Sequence, residues 1–124
     1  VLKDVDIKIR VPKKIYWNDF NICVILGNLV DNAVREASKS EEKYLKIDIQ
    51  TKKGIMLIHV KNSYSGRIIE TGNKIQTSQK EVAIHGIGLE NVKKIVKSNG
   101  GEIEIGYTEN YFEVKILLYL SNIK

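Results

Sequence analysis

The sequence predicts a two-layer α+β sandwich in which a mostly antiparallel, mixed sheet carries its helices on one face. Five stretches alternate apolar with polar residues, as strands buried on one side do. Two longer stretches space their apolar residues at helical intervals. Their order is β, α, β, β, then a polar segment, α, β, β, which sets hairpins side by side and leaves the helices to cover one face.

Val5, Ile7, Ile9 and Val11 alternate up to Pro12 and predict a half-buried strand. Asn18 or Asp19 caps a helix expected to run to about Ser38. Ile22, Leu26, Leu29 and Ala33 form one stripe of it, and Cys23, Val30 and Val34 make the remainder largely apolar, so this helix is expected to be mostly buried, with Cys23 in core packing. The charged segment from Lys39 to Lys43 breaks the pattern. Tyr44 to Thr51 and Ile55 to Val60 then form an antiparallel hairpin across Lys52-Lys53-Gly54.

From Asn62 to His85 the apolar period disappears, the pattern of a functional lid or binding loop. A second helix is expected to open at Gly86-Ile87-Gly88-Leu89. Its core face is Leu89, Val92, Ile95 and Val96, its solvated face Lys93, Lys94 and Lys97, and its stop signal Asn99-Gly100-Gly101. Glu102 to Tyr107 and Tyr111 to Leu120 close the chain as a hairpin around Thr108-Glu109-Asn110.

A chain of 124 residues, 43% hydrophobic and 28% charged, suits one domain with an ordinary core. Twenty basic against fifteen acidic residues favour an anionic partner, but the lysines are scattered and the aromatics are not interleaved with them, which argues against nucleic acid. No apolar run reaches membrane-spanning length, no signal-peptide pattern opens the chain, and a single cysteine fits a reducing compartment. A cytosolic location without direct membrane contact is expected. The chain starts at Val1 and its one methionine is Met56, so it reads as a segment of a longer protein.

Two stretches carry chemistry. A glycine pair at a helix start, Gly86 and Gly88, lets the backbone approach an anion while free N–H groups and the helix dipole point at it; a plain turn at a loop-to-helix junction has the same composition. In Leu26-Gly27-Asn28-Leu29-Val30-Asp31-Asn32-Ala33 the two asparagines lie four apart, on one helix face with Arg35. Buried amides cost about 1 to 3 kcal/mol each when unsatisfied, so they bind either loop backbone or a ligand.

In order and spacing these features resemble the ATP-binding domain shared by sensor histidine kinases, gyrase, Hsp90 and MutL, and the resemblance covers nearly the whole chain. Leu26 to Ala33 is similar to that family's N box, and His85-Gly86-Ile87-Gly88-Leu89-Glu90-Asn91 to its second glycine box. Both runs are most similar to histidine kinases that answer peptide pheromones in quorum sensing. The resemblance implies the Bergerat-type ATP-binding fold. It implies that Asn32, assisted by Asn28, holds a Mg²⁺ bridging the ATP phosphates, and that Arg35 reaches a phosphate. It further implies that Gly86, Ile87, Gly88 and Leu89 cradle the β and γ phosphates while Thr77, Ser78 and Lys80 close over them. The family's first glycine box, Asp-x-Gly-x-Gly, departs here to Asn62-Ser63-Tyr64-Ser65-Gly66. Asn62 then takes the place of the aspartate that reads adenine, and only Gly66 of the two glycines is kept.

The hydrolysing branch of the family has glutamate at position 28, where this chain has an amide of no useful basicity, so hydrolysis is disfavoured. The kinase branch needs only positioning and charge neutralisation, with the nucleophile supplied by a histidine of another domain. His59 and His85 are expected to be structural. The implied protein is the cytoplasmic catalytic domain of a membrane-anchored sensor kinase, partnered by a histidine-bearing dimerisation domain and, downstream, a response regulator. The alternatives are a serine kinase of the anti-sigma type and a degenerate domain that binds a partner and no nucleotide. No P-loop pattern occurs.

Overall fold

The computed structural model describes residues 2–11, 19–64, 69–71, 74–76 and 79–120, with only the backbone described at 19–20, 69–71, 74–76 and 79–88. In chain order the elements are β1 (Asp4–Arg10), α1 (Asp19–Lys39), β2 (Tyr44–Lys52), β3 (Ile55–Ser63), β4 (Ile69–Thr71), β5 (Lys74–Gln76), α2 (Gln79–Ser98), β6 (Glu102–Tyr107) and β7 (Tyr111–Tyr119). The five-stranded sheet has the order β1-β2-β3-β7-β6. Only β1–β2 is parallel, which makes the sheet mixed and mostly antiparallel as predicted.

Period-two alternation builds the core. Pairing Ile47 with Val60, Ile58 with Ile116 and Ile103 with Ile116 sets their side chains on one face, where Ile22, Ile25, Leu29 and Ala33 of α1 and Val92 and Val96 of α2 cover them. Each fully buried Ile, Leu or Val contributes about 1.5 to 3 kcal/mol of burial. The β2–β3 turn has Lys53 and Gly54 both at positive φ, 49° and 83°, the type I′ geometry whose twist matches the strands it joins.

Three expectations change. Val5, Ile7 and Ile9 sit on the core side, in register with Leu45, Ile47 and Ile49, yet they are exposed, as is Val11. The reason is position: β1 is the edge strand, and the helices lie over β2, β3 and β6. Helix α1 is not buried all round either. Ile22, Ile25, Leu29, Ala33 and Ala37 form its buried stripe, with Ile25 where the sequence reading placed Leu26, while Cys23, Gly27 and Asp31 face solvent. Cys23 is therefore a surface thiol and does no core packing.

The polar segment, third, is not structureless. Strands β4 and β5 pair within it, and α2 begins at Gln79, seven residues before Gly86, so the glycine pair lies inside the helix and does not open it. The far end of α2 is as expected. Gly101 N–H donates to Val96 O at 2.8 Å and Gly100 N–H to Lys97 O at 3.0 Å, with Gly100 at φ 76°, which is a Schellman stop.

Candidate functional site

Helix α1 packs across β3 and beside α2, and these three elements carry the sequence-predicted site residues that can be located, Asn28, Asn32 and Arg35 on α1, Asn62 on β3 and Lys80 and Gly86 to Leu89 on α2. Asn28 and Asn32 are half-buried, one turn apart on α1, so both amides lie at a helix surface that solvent can reach. Arg35 is half-buried on the same helix, and its guanidinium pairs with the Asp31 carboxylate one turn back. Any phosphate contact by Arg35 competes with that pair.

Asn62 is the next-to-last residue of β3, on the core side two residues past Val60, and is only 3% exposed. Its Nδ2 donates to the Ser63 carbonyl at 2.8 Å. Ser63, fully buried, meets Ser40, 3% exposed, with 2.6 Å between hydroxyl oxygens. Ser40 stands one residue past α1, where both its N–H, at 3.1 Å, and its hydroxyl, at 2.7 Å, donate to Ala37 O in the last turn of the helix. Lys43 N–H donates to Ser40 Oγ and Tyr44 N–H to Ser63 Oγ. The end of the asparagine-bearing helix is thereby hydrogen-bonded to the end of the strand bearing Asn62. Sequence reasoning missed both serines, because a single buried hydroxyl leaves no periodic trace.

Tyr64, where the resembled motif has glycine, is buried; its phenol donates to Thr108 O and its N–H to Asn110 O at 3.1 Å, which ties β3 to the β6–β7 turn. Burial raises the phenol's pKa, with the nearby Glu109 charge adding to the rise. Gly86, Ile87 and Gly88 fall within α2 together with Leu89, which packs half-buried against the core, and Lys80 lies in its first turn. Gly66, Thr77 and Ser78 lie outside the described residues, and so do the side chains of Lys80 and His85. His59, expected to be structural, faces the opposite side of the sheet and meets Glu113 at 2.7 Å. That side carries an open groove of about 520 Å³ lined by charges of both signs, including Asp48, Glu104 and Lys115, and it contains none of the predicted site residues.

The sequence model of the GHKL domain family matches residues 17–119. The chain belongs to the GHKL family. Curated proteins gave no match. Among solved structures, this GHKL domain is similar to the histidine kinase AdeS of Acinetobacter baumannii at 20% identity and TM-score 0.64, covering 96% of this chain and 56% of AdeS. It is also similar to the nucleotide-free catalytic domain of the histidine kinase ThkA at 22% identity and TM-score 0.61, over 93% and 79%. The histidine kinase domain of the Escherichia coli osmosensor EnvZ follows at 17% and TM-score 0.56, over 96% and 78%. The chain thus spans little more than half the length of AdeS. At these identities the likeness is one of fold.

The donors present in the GHKL domain suit a magnesium nucleotide. Among the described residues no group of three His, Cys, Asp or Glu side chains is placed to hold a metal, and α1 carries the amide oxygens of Asn28 and Asn32. Such oxygens are adequate for Mg²⁺ when phosphates and water complete its shell. The buried Asn62 amide offers the donor and acceptor that an adenine edge requires. No helix among the described residues is long and apolar enough to cross a membrane.

Proposed function

We propose that this domain binds Mg-ATP and donates the γ-phosphate to a histidine on a separate dimerisation domain of the same sensor kinase, in a two-component system that ends on a response regulator. The observation that carries the reading is the joining of the end of α1 to the end of β3 through Ser40 and Ser63, which ties the helix bearing Asn28 and Asn32 to the strand bearing Asn62 over a common core. Asn62 faces the base. Asn32, with Asn28, would hold the Mg²⁺, whose chemistry is to neutralise phosphate charge during transfer. Asn28 supplies no general base, so transfer is favoured over hydrolysis.

Gly86, Ile87, Gly88 and Leu89 remain the proposed phosphate cradle, with one condition. Inside a continuous helix their N–H groups bond to carbonyls four residues back, so they reach phosphate only if the turns from Gln79 onward unwind. Thr77, Ser78, Lys80 and Gly66 belong to the same proposed closure over the triphosphate, and Arg35 would leave Asp31 to join it. The quorum-sensing assignment, the cytoplasmic location in a membrane-anchored kinase and the single-domain boundary over 1–124 rest on the sequence resemblance.

Calorimetric titration with Mg-ATP tests the reading. Asn32→Ala and Gly88→Ala should each weaken ATP at least tenfold, about 1.4 kcal/mol, with the melting temperature of Asn32→Ala little changed and that of Gly88→Ala raised, since alanine replaces glycine within a helix. Amides 79–85 should exchange faster when ATP is bound. Wild-type affinity in Asn32→Ala would remove the asparagine pair from the site. Incubation with γ-labelled ATP should leave the isolated domain unlabelled, since the proposed acceptor histidine belongs to a separate domain; stable label on His59 of β3 or on His85, which lies within α2, would overturn this.

A further inference from the structure

We propose that the Ser40–Ser63 hydroxyl pair is a positioning device that locks the Asn62 amide in the single orientation complementary to adenine. The proposal rests on the reading of Asn62 as the base-facing residue.

Both hydroxyl protons can be assigned from the contacts. The Ala37 carbonyl can only accept, so at 2.7 Å Ser40 gives its one proton there. Ser40 Oγ is then left as an acceptor, and at 2.6 Å it takes the Ser63 proton in preference to Tyr44 O at 3.4 Å. Ser63 Oγ in turn accepts from Tyr44 N–H at 2.8 Å, and Ser40 Oγ from Lys43 N–H at 3.0 Å. The Ser63 hydroxyl has one further acceptor, Tyr44 O, at the longer distance of 3.4 Å. Ser63 is therefore held on one side by these bonds and on the other by its pairing with Tyr111 of β7.

What Ser63 holds is its own carbonyl, 2.8 Å from Asn62 Nδ2. A carbonyl accepts and never donates, so the end of the amide facing it is the nitrogen, and Oδ1 lies at the other end. Turning the amide over would lose this hydrogen bond and set two acceptors against each other in a buried place. An adenine edge presents an N–H to be accepted, which the locked Oδ1 does. A guanine edge presents a carbonyl there and needs the overturned amide. Selection of ATP over GTP is thus assigned to two serines that touch neither base.

The test uses the whole 124-residue chain with ¹⁵N-labelled asparagine, alongside ATP and GTP titrations. In the nucleotide-free wild type, one Asn62 Nδ2 proton should exchange much more slowly than its partner. Ser40→Ala and Ser63→Ala should equalise the two and lower the ATP-to-GTP affinity ratio about tenfold, roughly one hydrogen bond's worth, mainly by gaining GTP binding. Ser63→Thr, which keeps the hydroxyl, should restore both. Equal exchange of the two protons in wild type would overturn the proposal even if no variant folds. So would variants that weaken both nucleotides by one common factor, the result of a merely structural role. If wild type binds neither nucleotide while the amide signature responds to the serines as stated, the lock stands and the nucleotide reading falls.

Discussion

His59 and Glu113 form a half-buried pair across the β3–β7 ladder, on the face turned away from the site. The hydrogen bond from His59 is the main reason the Glu113 carboxyl titrates below its ordinary range. A depressed carboxylate pKa means that the unfolded chain binds this proton more readily. The associated stability is therefore complete above about pH 4.3, the unfolded value, and is lost as pH falls through the lower folded one. Glu113→Gln should cost less than about 1 kcal/mol at pH 7, because the pair is partly solvated. In urea melts the gap between wild type and variant should narrow as the pH falls below the unfolded value; a gap that does not change with pH would assign the loss to packing. At this scale motif and spacing singled out Asn28, Asn32 and Asn62, which lie on α1 and near the end of β3. Ser40 and Ser63 escaped because their meaning lies in a contact between residues 23 apart in sequence, which no local pattern records.

Elements were legible wherever period and punctuation agreed. The hairpin at Lys53-Gly54 and the stop at Gly100 were signalled by glycines, the residue suited to positive φ, and both are found. The start of α2 was misplaced because two glycines, each costing about 1 kcal/mol inside a helix, look like a boundary. Here the helix runs through them from Gln79. The burial of β1 was misjudged because alternation shows that a strand has an apolar side, not that anything covers it. The junction of α2 with β6 gives a firm prediction. A Cβ at Gly101 would lie 2.6 Å from Leu117 O and 3.1 Å from Val96 Cγ1, and the backbone oxygen cannot yield as a side chain does. Gly101→Ala should lower stability by about 1 to 3 kcal/mol in denaturant melts. No loss of stability would mean that β7 can shift away from the helix end.

For the molecule as a whole, the two-layer class followed from element order, while the strand order did not. Hairpin signals place β6 beside β7 and β2 beside β3, but nothing local says that β7 inserts between β3 and β6. The insertion makes β7 a central strand, with Val114, Ile116 and Leu118 buried and partners on both sides. On a ribosome, this strand is also made after every other element of the sheet. Until Tyr119 has left the exit tunnel, the β3 edge stays unpaired and the apolar faces of α1 and α2 lack their common floor, so the domain cannot fold progressively as it is synthesised. A chain ending at Asn110 should show no cooperative melting transition, and a separate peptide spanning 111–120 should restore one. Exposure to chaperones and proteases is thereby concentrated into the interval before the last ten or so residues of the sheet emerge, and elongation rate over that stretch should govern the yield of folded protein.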